Sequence, residues 1–146
     1  EPSAGRRELA KKLGFDMLVN PLSDDIKVFV KDATGYGADV VIEAAGLAAT
    51  ARQAFDIVKR GGTILQFGVV DERAEIPLKP FDIYQNEIRW IGSFINPHTH
   101  ARALELLAKG QIEVLPLITD RYSLDNMEEG LKKDVSGNRV KAMVIM

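Results

Sequence analysis

The chain has 146 residues, with 19 Lys and Arg against 21 Asp and Glu, for a net charge of -2 with neutral histidine. That balance excludes the strongly basic surface of a general nucleic-acid binder, and no apolar run approaches the ~18 residues a membrane span needs. There are no cysteines, which excludes disulfides, thiol catalysis and thiolate metal sites within these residues and suits a cytoplasmic setting. The start at Glu1-Pro2, without methionine or a signal peptide, leads us to expect a piece of a longer protein.

Ser3 is placed to cap a helix over 4–13, with Leu9, Ala10 and Leu13 as its apolar stripe and Gly14 as its stop. A short strand is expected over 16–19. Ser23 then caps a second helix in which Ile26, Phe29, Val30 and Ala33 follow the i, i+3, i+4, i+7 pattern. Residues 38–43 (ADVVIE) read as a parallel strand covered on both faces. A helix over 47–60 ends at Gly61-Gly62, and 63–67 (TILQF) forms the next strand. Strand, glycine break, helix, glycine break, strand is a βαβ unit.

Pro77 restricts 74–78 to an edge strand. A helical turn at 80–85 and a strand over 87–95 follow. Asn96-Pro97 opens a helix to about 109 with Ala101, Leu104 and Leu107 turned inward. Strands over 119–122 and 140–145 flank a short helix carrying Leu124, Met127 and Leu131, with Ser123 as its cap and Ser136-Gly137 as the turn. The alternation implies the α/β class, with a doubly wound parallel sheet.

Ligands of such sheets bind outside the carboxyl ends of the strands. The candidates there are Glu1, residues 44–46, 68–70 and 93–95. Glycines at these points read singly as ordinary turn punctuation; together, on adjacent strands, they favour a binding crevice. Glu1 suits either an acid that accepts hydrogen bonds from ribose hydroxyls or a plain surface acid. Arg6 and Arg7 suit an adenine or phosphate contact, or a solvated helix face. His98 and His100, two apart with no third ligand, read as surface residues. Glu128-Glu129 and Asp24-Asp25 read as solvated pairs. The chain has no complete GxGxxG, P-loop, GxSxG or HExxH, and no catalytic or metal-ligating residue is assigned.

Four stretches, TGYGADVVIEAAG from Thr34, EPSAGRRELAKKLGFD from Glu1, KRGGTILQFGVV from Lys59 and IRWIGSFINPHTHARALELLAKGQI from Ile88, together resemble the nucleotide-binding domain of the medium-chain (zinc alcohol) dehydrogenases. The resemblance is to the sorbitol and threonine dehydrogenase branches and covers essentially the whole chain. It implies a partial Rossmann-type doubly wound parallel sheet lacking its first strand or strands, with 1–117 as a partial dinucleotide-binding domain and 118–146 as a C-terminal segment that returns to a catalytic domain outside these residues. It implies hydride transfer between NAD and a secondary alcohol or polyol, with zinc in the parent protein held by ligands outside this chain. Alone, these residues are expected to be inactive. The resemblance places Glu1 on the ribose-binding acid, which implies NAD over NADP, and Arg6 beside the adenosine. Ala45 and Gly46 line the cleft, Gly68, Val69 and Val70 meet the nicotinamide, and Ser93, Phe94 and Ile95 approach its carboxamide. Lys141 reaches the pyrophosphate. It also implies a homo-oligomer formed through the edge at 74–78. The alternatives are a non-catalytic nucleotide-binding module and a zinc-free quinone reductase-type oxidoreductase. In the intact fold the strand order is 3-2-1-4-5-6, and we expect the 17–19 strand to pair directly with the 40–42 strand, or a partner chain to fill the place between them.

Overall fold

A computed structural model describes residues 1–95, 97–132 and 139–146. The described chain divides into two compact units, residues 25–97 and residues 1–24 with 98–146.

The unit of 25–97 is a parallel α/β sheet. Helix α1 (Ala4–Lys12) belongs to the other unit; here α2 (Ile26–Thr34) leads into β1 (Ala38–Glu43), α3 (Ala48–Ile57), β2 (Val58–Gln66), α4 (Pro80–Asn86) and β3 (Arg89–Gly92). The strand order is β1-β2-β3, all parallel. Val41, Ile64 and Trp90 are register partners and share one face of the sheet. Ile64 on that face is fully buried, and Ala51 and Ala54 of α3 are buried with it. Phe55 of α3 stacks on Trp90 with ring centroids 6.3 Å apart. Alanines at the α3 contact let the helix lie close to the sheet, so this face is the core.

Several expected elements differ. Asp25, not Ser23, caps α2, because its carboxylate reaches both the Lys27 and Val28 N–H groups, whereas the Ser23 hydroxyl donates to Asp24. The helix expected to run to residue 60 ends at Ile57 and gives way to β2 at Val58. Gly61-Gly62 lies inside that strand. Between the pairs Ala38↔Val58 and Val40↔Thr63 the register shifts, so residues 59–62 bulge where β1 spends a single residue. Lys59 pairs there with Asp39 and lies over the Tyr36 ring at 5.4 Å.

The strand 38–43 is not covered on both faces. Val40 and Ile42 are 60% and 61% exposed, since α3 covers the alternate residues. β1 has β2 as its one ladder partner among the described residues, so the expected direct pairing with 17–19 is not formed. Residues 74–78 are irregular backbone with no ladder; Pro77 offers no backbone donor, and its carbonyl accepts from Arg52 at 3.5 Å. The strand expected over 87–95 shrinks to Arg89–Gly92, because Glu87 takes a left-handed φ of 52° to end α4.

The second unit holds α1 (Ala4–Lys12), α5 (His100–Ala108), β4 (Ile118–Ser123), α6 (Met127–Lys132) and β5 (Lys141–Ile145). The Ser3 side chain caps α1 by accepting from the Arg6 N–H. β4 and β5 pair in parallel, and Gly130 of α6 packs on Tyr122 so closely that an added Cβ would lie 2.8 Å from the ring. The expected strand at 16–19 carries no ladder; the Glu1 nitrogen donates to the Val19 carbonyl at 3.1 Å. The inward stripe of α5 is also a correction, because Leu104 and Leu107 are exposed and Thr99, rather than 96–97, opens the helix. Asn96 and the turn at 136–137 lie outside the described residues. Ser123 makes no side-chain cap bond. No helix among the described residues is long and apolar enough to cross a membrane.

Candidate functional site

The register of the sheet decides where a site forms. Glu43, Gln66 and Gly92 are partners across β1, β2 and β3, so the three strands end level. The turns that leave them, 44–46, 67–70 and 93–95, open at one edge. The Ser93 N–H continues the ladder by donating to the Gln66 carbonyl at 3.0 Å.

The first two turns meet backbone to backbone. Gly46 has a left-handed φ of 71°, and a Cβ there would lie 2.6 Å from the Val69 carbonyl oxygen. A Cβ on Gly68 would lie 2.4 Å from the Gly46 nitrogen. Neither approach is open to any residue but glycine. Past this contact the chain turns outward: Val69, Phe94 and Ile95 are 92%, 83% and 75% exposed, Val70 and Ser93 half-buried. Ile95 has a φ of 50°, a costly conformation for a β-branched residue.

Glu43 underlies the contact and was not singled out from the sequence. It is 3% exposed. Its Oε1 accepts from the Ala45 N–H and the Gly46 N–H, each at 2.9 Å, and from the Thr50 hydroxyl at 2.7 Å. Its Oε2 accepts from the Gln66 amide at 2.5 Å, and the same amide nitrogen donates to the Gly68 carbonyl at 2.9 Å. Burial pushes this carboxyl up, but the bonds from Thr50, the Gly46 and Ala45 N–H groups and Gln66 outweigh it and hold the carboxyl below the ordinary glutamate range. The available signal was an acid closing an apolar strand just before Ala44-Ala45-Gly46; a charge there has to be matched by donors. Alongside, Val41, Glu43, Ala45, Thr50 and Ala54 line an open groove of about 270 Å³.

Glu1, Arg6 and Lys141 lie in the other unit. The Glu1 carboxylate accepts from the Ser3 N–H at 2.8 Å and stands 4.0 Å from the Arg6 guanidinium. Arg6 donates through Nε and Nη2 to the Arg139 carbonyl at 3.1 and 2.7 Å. Arg7 donates to the Glu1 and Pro2 carbonyls. Arg6, Arg139 and Lys141 line one groove of about 320 Å³, so the structure brings Arg6 and Lys141 together and adds Arg139, whose guanidinium lies over Tyr122.

The fit to the two groups that the fold suggests differs. Small residues at 45–46 and 68, with Ala45 and Val69 exposed beside the half-buried glycines, fit a flat cofactor ring laid against main chain. Zinc has no such fit: His98 and His100 are exposed, and no group of three His, Cys, Asp or Glu among the described residues is placed to hold a metal ion.

A family model described as zinc-binding dehydrogenase matches residues 1–109. D-arabitol-phosphate dehydrogenase of Enterococcus avium is 35% identical over 143 residues, 97% of this chain and 40% of its own length. Sorbitol dehydrogenase of Bacillus subtilis is 34% identical over 129 residues, 88% of this chain and 36% of its own. Among solved structures, a protein described as a zinc-binding dehydrogenase from Sinorhizobium meliloti, bound to NADP, is 37% identical with a TM-score of 0.90, covering 100% of this chain and 44% of that one. The chain thus spans well under half the length of these proteins.

Proposed function

The chain belongs to the zinc-binding dehydrogenase family, and from that premise we propose that it is the nicotinamide-cofactor-binding part of an alcohol or polyol dehydrogenase. The observation that carries this is the tight pair of turns at 44–46 and 67–69, fixed level at the carboxyl ends of β1 and β2. The whole protein transfers hydride between a secondary alcohol and the nicotinamide, a reaction whose chemistry the cofactor supplies. This chain's share is binding and orientation. Backbone at Ala45, Gly46, Gly68, Val69 and Val70 meets the nicotinamide half, and Ser93, Phe94 and Ile95 border it. For Arg6 and Lys141, taken within their own unit, the proposal is contact with an adenosine and a phosphate. No step is assigned to zinc, for which these residues offer no ligand set.

NAD is proposed over NADP because the Glu1 carboxylate bonds ribose hydroxyls and repels a 2′-phosphate. The relative from Sinorhizobium meliloti was solved with NADP, so the choice is a sharp one. Each charge-assisted bond to the ribose contributes roughly 1.5–3 kcal/mol, about tenfold or more in affinity. Titrating the whole protein with NADH and NADPH tests it: NADH binds at least tenfold tighter, and Glu1→Ala narrows the ratio. Tighter NADPH binding overturns the preference, and binding of neither overturns the cofactor assignment. A cytoplasmic location, the 1–117 and 118–146 division, and self-association through 74–78 belong to the same proposal.

A further inference from the structure

Glu43 addresses both turns of the crevice at once. Its Oε1 gathers the Ala45 and Gly46 N–H groups and the Thr50 hydroxyl. Its main-chain carbonyl accepts from the Phe67 N–H at 3.0 Å and the Gly68 N–H at 2.7 Å. Its Oε2 holds Gln66, which passes the contact on to the Gly68 carbonyl. A Cβ on Gly68 would lie 2.6 Å from that Oε2, so the carboxylate sits directly under the second turn. A buried carboxylate is costly unless every acceptor site is used. An apolar residue would close the strand without such donors but would leave the Ala45, Gly46 and Gln66 donors unmatched.

Resting on the cofactor assignment above, we infer that Glu43 is a positioning residue whose carboxylate holds the 44–46 and 67–69 turns at the separation that nicotinamide binding requires, with Gln66 as its relay to the second turn. Neither side chain has to touch the cofactor. Oε1 fixes the first turn and the start of α3; Oε2 and Gln66 fix the second.

Glu43→Gln keeps the shape and one acceptor oxygen, but sets an NH₂ group against the Gln66 NH₂. Two readouts in the full chain test the inference. In the free protein, amide hydrogen exchange at Gly46 and Gly68 speeds up at least tenfold, while Ile64 and Leu65 in β2 stay as they were. In titrations, NADH weakens at least tenfold, while ADP-ribose, which lacks the nicotinamide, changes by less than twofold. Unchanged exchange at the turns overturns the inference. So does equal acceleration at Ile64, or equal weakening of both ligands, since either makes Glu43 an ordinary core group. If Glu43→Gln does not fold, Gln66→Leu removes the relay alone: Gly68 exchange and NADH binding then change while Gly46 exchange does not, and no change at Gly68 overturns the relay. If the unsubstituted protein binds neither ligand, the cofactor assignment falls, and the exchange pattern still decides whether Glu43 sets the turns.

Discussion

At the scale of single residues, Glu43 makes the site pH-dependent in a defined direction. Its folded carboxyl titrates below the ordinary value of 4.5. Its ionisation therefore contributes stability that is fully present above that value and is lost as pH falls through the lower folded value. Glu43→Gln has no such group, and it costs about 1–3 kcal/mol near neutral pH through one mismatched buried contact. Denaturant unfolding of both forms at neutral pH and near pH 3 checks this. The gap is expected to shrink on acidification, and a gap equal at both pH values contradicts it. The sequence made the glycines at 46 and 68 legible as a candidate crevice. It did not reveal Glu43, Gln66 and Thr50 as a network, because a glutamate within ADVVIE gives no sign of which donors will face it. That depends on the register Glu43↔Gln66, which is a tertiary property.

At the scale of elements, local signals served where one chemical cue dominates. The apolar run of β1 and the Ser3 cap of α1 formed as their residues indicate. They misled where tertiary pairing overrides propensity. Gly61-Gly62 looked like a helix stop, yet pairing with Ala38 draws Val58 into β2 and makes the glycines part of a bulge. Leu104 and Leu107 have helical spacing, yet spacing shows only that a face is apolar, not that a neighbour covers it. Residues 74–78 carry no ladder; the Ala74 N–H donates to the Asp71 carbonyl at 2.9 Å and the Pro77 carbonyl accepts from Arg52 at 3.5 Å, and we propose that the groups between them pair with another copy of the chain. Sedimentation equilibrium of the whole protein at micromolar concentration is expected to give a dimer or larger, with Pro77 limiting which edge pairs. A monomer contradicts self-association through this segment.

At the scale of the molecule, the alternation of strands and helices indicated a parallel α/β sheet, and the structure shows one in the unit of 25–97. The full doubly wound order was not to be had from these residues, since β1 ends the sheet with β2 as its one partner among the described residues. Family membership rests on residues 1–109. In the function proposed above, the turns leaving β1 and β2 form the seat of the nicotinamide. The most direct test is to titrate the chain with NADH and follow its backbone amide shifts. The largest changes are expected at Ala45, Gly46, Gly68 and Val69, with Ile64 unmoved; saturable binding whose shifts cluster away from 44–46 and 67–70, or no binding at all, would contradict a nicotinamide seat at these turns.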